Sequence, residues 1–144
     1  MLHSATIKVL NWLIASLRAV AWAPIAVFSF HVFAMLVLNI YAWLPDFDIP
    51  MHFVGGVAIA YFFGGCYRTA LAFEFLGQPA KVVYAVVVIG MTAVAAVVWE
   101  FAEFIADRTL GIHTQPGLAD TLLDLLMGLL GGIVFLALHY RRWP

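Results

Sequence analysis

The chain has 144 residues, 65% of them hydrophobic and only 10% charged, with a mean hydropathy of +1.03. Soluble domains run near half apolar and a quarter charged, so this composition excludes an ordinary water-soluble domain and indicates one compact integral membrane domain. A formal charge of -1 says nothing by itself, no nucleic-acid partner is expected, and the lone Cys66 excludes an intrachain disulfide or a cysteine-rich metal site.

Residues 1–22 have a mixed character. Ser4, Lys8, Asn11 and Arg18 recur at helical spacing on one face, and Ile7, Leu10, Ile14 and Leu17 line the opposite one. That pattern predicts an amphipathic helix lying in the membrane interface; Arg18 near the centre makes it a weaker transmembrane candidate. "AVAWA" faintly resembles a cleavage site, but Arg18 interrupts the apolar core of such a signal, so a retained N-terminus is expected.

Four apolar runs follow, each near the length needed to cross ~30 Å of hydrocarbon. They cover 24–44, 50–67, 82–106 and 118–140, separated by "PDFDIP", "FLGQPAK" and "TLGIHTQPG". Pro24 suits a first helical position, and the two prolines of "PDFDIP" break the chain sharply. The expected fold is all-α: four transmembrane helices preceded by an interfacial one.

Lysine and arginine placement sets the orientation. Lys8, Arg18, Arg68, Lys81, Arg141 and Arg142 fall on one side of this topology and Arg108 on the other. Both termini are thus expected in the cytoplasm of a cell with an inner membrane. Trp22, Trp43 and Trp143 fall near predicted interfaces. Gly128 and Gly132 form a GxxxG pattern, a signature of helix packing within the chain or between chains.

The acids are unevenly spread. Glu74 belongs to the cytoplasmic side, whereas Asp46, Asp48, Glu100, Glu103, Asp107, Asp120 and Asp124 gather at the outer face with His52 and His113. Glu100, Glu103 and Asp107 share a helix face by spacing, as do Asp120 and Asp124; Asp48 and His52 are four apart. Three helix ends thus offer ligands to one outward-facing cup, with Glu100 and Asp124 deepest. Asp120 also suits a capping role at the start of the last span. Intramembrane ionisable groups are costly enough to mark function by default. Arg108, His52 and His113 supply cationic relief, and shared protons or a divalent cation supply the rest. Carboxylates with imidazole suit Mg, Mn, Ca, Zn or non-haem Fe; the Glu-x-x-His repeat of di-iron bundles is absent. The metal candidates are Asp48, His52, Glu100, Glu103, Asp120 and Asp124. Glu100, His52 and Arg108 are the candidates for chemistry. His31 has no acid at helical spacing and reads as a core histidine.

"DIPMHFVGG", "WEFAEFIADR" and "LADTLLDLLMGLLGG" resemble conserved blocks of the VanZ-like and YjdF-like families of small inner-membrane proteins. The resemblance covers roughly residues 46–132 and implies Asp48, His52, Glu100, Glu103, Arg108, Asp120, Asp124, Gly128 and Gly132 as the matching positions. Met127-Gly128 stands where many VanZ-like chains carry an Asn.

Three functions compete at this level. A metal-dependent enzyme would act on a lipid or lipid-linked phosphate, with Arg108 steadying phosphate oxygens and a carboxylate or His52 as base. A non-enzymatic accessory subunit would dock a membrane partner, or a second copy, through its glycine faces. A transporter would need polar groups continuing inward, and the inner halves of the spans are almost purely apolar.

Overall fold

The computed structural model describes residues 2–112 and 114–140, with side chains described from residue 5 onward. His113, Arg141, Arg142 and Trp143 lie outside the described residues, as do the side chains of His3 and Ser4.

All regular structure among the described residues is helical: α1 (Leu2–Val20), α2 (Trp22–Leu36), α3 (Ile40–Trp43), a 3-10 turn (Pro45–Phe47), α4 (Asp48–Ala72), α5 (Lys81–Leu110) and α6 (Leu118–His139). Three of them, the Pro45–Ala72 segment, α5 and α6, are long and apolar enough to cross a membrane. The α1–α2 pair, bent by 55°, makes a fourth if it is counted as one broken span.

The run over 24–44 is not one continuous helix. α2 has 15 residues, about 22 Å of rise, which falls short of the ~30 Å apolar core. The break falls at Asn39, whose φ of 47° is left-handed, a conformation that asparagine tolerates better than most residues. By contrast, α4 starts at Asp48 and absorbs Pro50 in its first turn, where the N–H has no intrahelical partner to lose. α5 has 30 residues, about 45 Å, so its ends project beyond the hydrocarbon and its acids lie near a surface.

α1 uses a face other than the two that its charge pattern suggests. Ser16 and Val20 are buried, together with part of Trp12. The Trp12 indole donates to the Cys66 carbonyl at 3.2 Å, Ser16 pairs with the Thr69 hydroxyl, and Val20 lies against Gly65. Lys8 and Arg18 remain exposed, and so do Ile7, Leu10, Ile14 and Leu17.

α4, α5 and α6 form the central bundle, with α4 and α6 starting at the end where α5 finishes. Glycine sets the α4–α6 spacing. A Cβ built on Gly56 would overlap the Gly128 carbonyl, and one on Gly131 would overlap the Phe53 carbonyl. Backbones meet directly, as small-residue interfaces permit in membranes. Farther along, Ala60, Tyr67, Tyr84, Val88 and Phe135 make the apolar core. The GxxxG pair therefore packs within the chain: Gly128 lies between Gly56 of α4 and Ala96 of α5, and Gly132 faces Thr92 of α5.

Candidate functional site

The close α4–α6 approach brings the first turns of both helices together beside the last turns of α5. Asp48 and His52 come from α4, Glu100 and Glu103 from α5, and Asp124 from α6. His52 stands at the centre. Its Nε2 lies 3.6 Å from Asp48 Oδ1 and 3.7 Å from Asp124 Oδ1, and its Nδ1 lies 3.9 Å from Glu100 Oε1. Asp48, His52 and Asp124 each offer one ligand atom within 4.8 Å of the others, and so do His52, Glu100 and Glu103.

These acids are deeply placed: Asp124 is 2% exposed, Glu100 5% and Glu103 8%. Each has one satisfied or facing oxygen and one orphan. Glu103 Oε1 accepts the Trp99 indole N–H at 2.8 Å, and Glu100 Oε2 accepts the Gln115 amide at 2.8 Å. Glu100 Oε1, Glu103 Oε2 and Asp124 Oδ2 are buried without a hydrogen-bond partner. A buried unsatisfied acceptor costs on the order of 1–3 kcal/mol, and more when charged.

The His52 distances are too long for hydrogen bonds, which fall near 2.7–3.2 Å. They match another geometry. Two ligand atoms each about 2.1 Å from a shared ion, at a tetrahedral angle, stand about 3.4 Å apart. Asp48 Oδ1 and Asp124 Oδ1 each approach that edge length from His52 Nε2, so the three atoms could hold a cation. In that arrangement the other imidazole nitrogen faces Glu100, as metal-bound histidines commonly face a carboxylate.

Asp107 does not join its helical neighbours in this cluster. Its Oδ1 accepts the Thr114 N–H at 2.7 Å and the Thr114 hydroxyl at 2.8 Å, and its Oδ2 accepts the Gln115 N–H at 2.9 Å. Gly111 makes the turn possible with a left-handed φ of 67°. Asp107 therefore fixes the loop that delivers Gln115 to Glu100, whose side chain it binds along with the Glu100 carbonyl at 3.0 Å.

Two other expected members take different places. Arg108 is exposed, its guanidinium 5.4 Å from the Phe104 ring centroid, and among the described residues it makes no ion pair with the cluster. Helix geometry explains this: one residue after Asp107, it falls on another face. Asp120 is half-buried with an orphan Oδ2 and stands outside both ligand groups. Nor is it a cap: Gly117 precedes α6 without a side-chain cap bond, and Asp120 lies inside the first turn.

Beside His52 lies an apolar cavity of about 160 Å³, bounded by Val27 and Phe28 of α2, Met51 and Ile59 of α4 and Ala96 of α5. Asp48, His52, His31 and Thr92 are its polar lining, while Glu100 and Glu103 are not part of its wall. His31 is satisfied, as expected of a core histidine: its Nδ1 is 2.8 Å from the Tyr41 hydroxyl, and its ring stands edge-on to Trp99. Burial pushes the Tyr41 phenol above its ordinary range, so it stays protonated. Trp99 and Gln115 escaped the sequence reading. Trp99 is four residues before Glu103 and so within reach of it by spacing, but nothing in a seven-residue loop marks Gln115.

The fold and site define a polytopic α-helical membrane protein with a buried acid–imidazole cluster at one end of its bundle. The chain belongs to the family described as "Predicted membrane protein (DUF2238)", whose model matches residues 4–143. An uncharacterized protein of Thermotoga maritima is 35% identical over 106 residues, covering 73% of this chain. The chain spans about half of that relative, 53% of its length. No solved structure matches.

Proposed function

We propose that this protein is a metal-dependent membrane enzyme acting on a lipid or lipid-linked phosphate. It would sit in a cytoplasmic (inner) membrane with both termini inside and the cluster at the outer face. The charge distribution of the sequence supports that orientation, and the three sequence blocks support kinship with VanZ-like and YjdF-like proteins. The observation that carries the reading is the His52 geometry: two carboxylates at 3.6 and 3.7 Å from Nε2, too far for hydrogen bonds and near the edge of a coordination sphere.

Asp48, His52 Nε2 and Asp124 would hold the ion. One imidazole with two carboxylates favours Mn, Fe or Zn over Mg or Ca, which prefer all-oxygen sites. Three protein ligands leave a position open, as catalytic sites do. A divalent ion there supplies Lewis acidity toward phosphate oxygens or a more acidic water. Glu100, locked by Gln115, would orient His52 through Nδ1–H, and Glu103, locked by Trp99, would stand behind it with its orphan Oε2 as a proton acceptor. Arg108 has no part in this arrangement.

The alternative is a non-enzymatic assembly subunit with a structural polar site, and it drew on free glycine faces for docking. Gly56, Gly128, Gly131 and Gly132 are instead occupied by contacts within the chain. The test is elemental analysis of protein purified in detergent without chelator, alongside Asp124→Asn and His52→Gln. About one divalent ion per wild-type chain, lost in both variants, supports the site; phosphate release from alkyl or polyprenyl phosphates then identifies the reaction. Wild-type protein without metal, and variants equally well folded, would sink it.

A further inference from the structure

Gly55 and Gly56 are adjacent in α4 but have opposite surroundings. Gly56 is forced by the Gly128 carbonyl, whereas a Cβ on Gly55 would meet nothing within 4 Å. Gly55 is not spent on helix packing, and glycine in a helix interior weakens the helix. What it does is keep space empty: it lines the apolar cavity, one turn from Met51 and four residues from Ile59. An apolar cavity of about 150 Å³ is large enough to take up a six-carbon ring, and this one has about 160 Å³. Its wall is mostly aliphatic and aromatic; the ionisable groups on it are Asp48, His52 and His31, and the Thr92 hydroxyl is engaged by the Val88 carbonyl. The occupant implied by such a lining has a hydrocarbon body and a polar end.

We infer that this cavity seats the head-proximal carbons of a single hydrocarbon chain, acyl or isoprenyl, of an amphiphile whose head group lies against Asp48 and His52. Gly55 is the residue that keeps the seat open. The inference rests on the preceding proposal for the identity of the head, a phosphate; the chain seat itself rests on the cavity and Gly55. Five or six carbons next to the head are gripped, and the remainder runs into the bilayer, so the site selects for the start of the chain and tolerates any length beyond it.

The test is photolabelling of detergent-purified protein with an alkyl phosphate bearing a diazirine near the head group. The same label is attached to an alkyl trimethylammonium and to an uncharged alcohol, and adducts are mapped by mass spectrometry. Expected are adducts on Val27, Met51 and Ile59 in the wild type, displaced by excess unlabelled alkyl phosphate. Gly55→Leu should reduce them at least tenfold, and Gly55→Ala should give an intermediate loss. Melting temperature and metal content in Gly55→Leu should match wild type, because the new side chain enters open space. Equal labelling in wild type and Gly55→Leu, no adducts at these residues, or equal labelling by the alcohol would overturn the inference. If the ammonium amphiphile labels the cavity and the phosphate does not, the chain seat stands and the metal–phosphate reading falls. Labelling by the phosphate that chelation abolishes supports both.

Discussion

The Gly56–Gly128 contact lies one turn from the cluster, so a single methyl group tests whether helix spacing sets the site. In Gly56→Ala the new carbon would overlap the Gly128 carbonyl oxygen, a backbone atom that no side-chain rotation can move. Restoring an ordinary carbon–oxygen contact requires α4 and α6 to separate locally by roughly 1.5 Å. Overpacking of this kind costs about 1–3 kcal/mol, more where the backbone resists. Asp48 and His52 ride on α4 and Asp124 on α6, so their mutual distances open by about the same amount. Metal sites tolerate only about 0.2 Å of ligand displacement, so binding should weaken well beyond tenfold. Thermal unfolding in detergent and metal titration read the two effects on one sample. Gly90→Ala is the control: its Cβ meets nothing within 4 Å, and it should be neutral or stabilise the helix by about 0.5–1 kcal/mol. A Gly56→Ala protein with wild-type stability and wild-type metal affinity would refute the claim that direct backbone contact positions the cluster.

Other perturbations separate the layers of the site. Asp107→Ala removes acceptors for three hydrogen bonds and should destabilise by about 2–3 kcal/mol; it should also speed hydrogen exchange at Thr114 and Gln115, and unchanged exchange there would contradict its loop-holding role. Gln115→Ala frees Glu100 Oε2 and the Glu100 carbonyl; metal affinity should fall about 10–100-fold, as for other outer-shell partners, with little change in Tm. Arg108→Gln should leave stability and metal affinity within error, since that side chain is exposed away from the cluster; a loss of more than tenfold in metal affinity would restore it to the site.

Much of this arrangement was legible in the sequence, for reasons tied to particular residues. Helical spacing paired Asp48 with His52 and Glu100 with Glu103, and the burial of Asp124 follows from its place on the glycine face of α6, four residues before Gly128. Spacing overreached at Asp107, which shares the face of Glu100 and Glu103 but lies a turn nearer the helix end, where the loop offers two backbone N–H groups and the Thr114 hydroxyl as donors. The N-terminal third was hardest to read. Hydropathy could not register the left-handed turn at Asn39 that stops a continuous span, and α1 packs through Trp12, Ser16 and Val20, between its charged and aliphatic stripes. Gly55 and Gly56 look alike in the sequence; only their neighbours separate the packing glycine from the cavity glycine.

Ligation of a divalent ion by His52 Nε2 between Asp48 and Asp124 is what the proposed function stands on. Pulsed electron paramagnetic resonance of the detergent-purified protein, stripped and reloaded with Mn²⁺, addresses it directly. One bound ion per chain is expected, with nitrogen coupling from a single imidazole. That coupling should vanish in His52→Gln and persist in His31→Gln. No stoichiometric Mn²⁺, or a nitrogen coupling unchanged by His52→Gln, would contradict it.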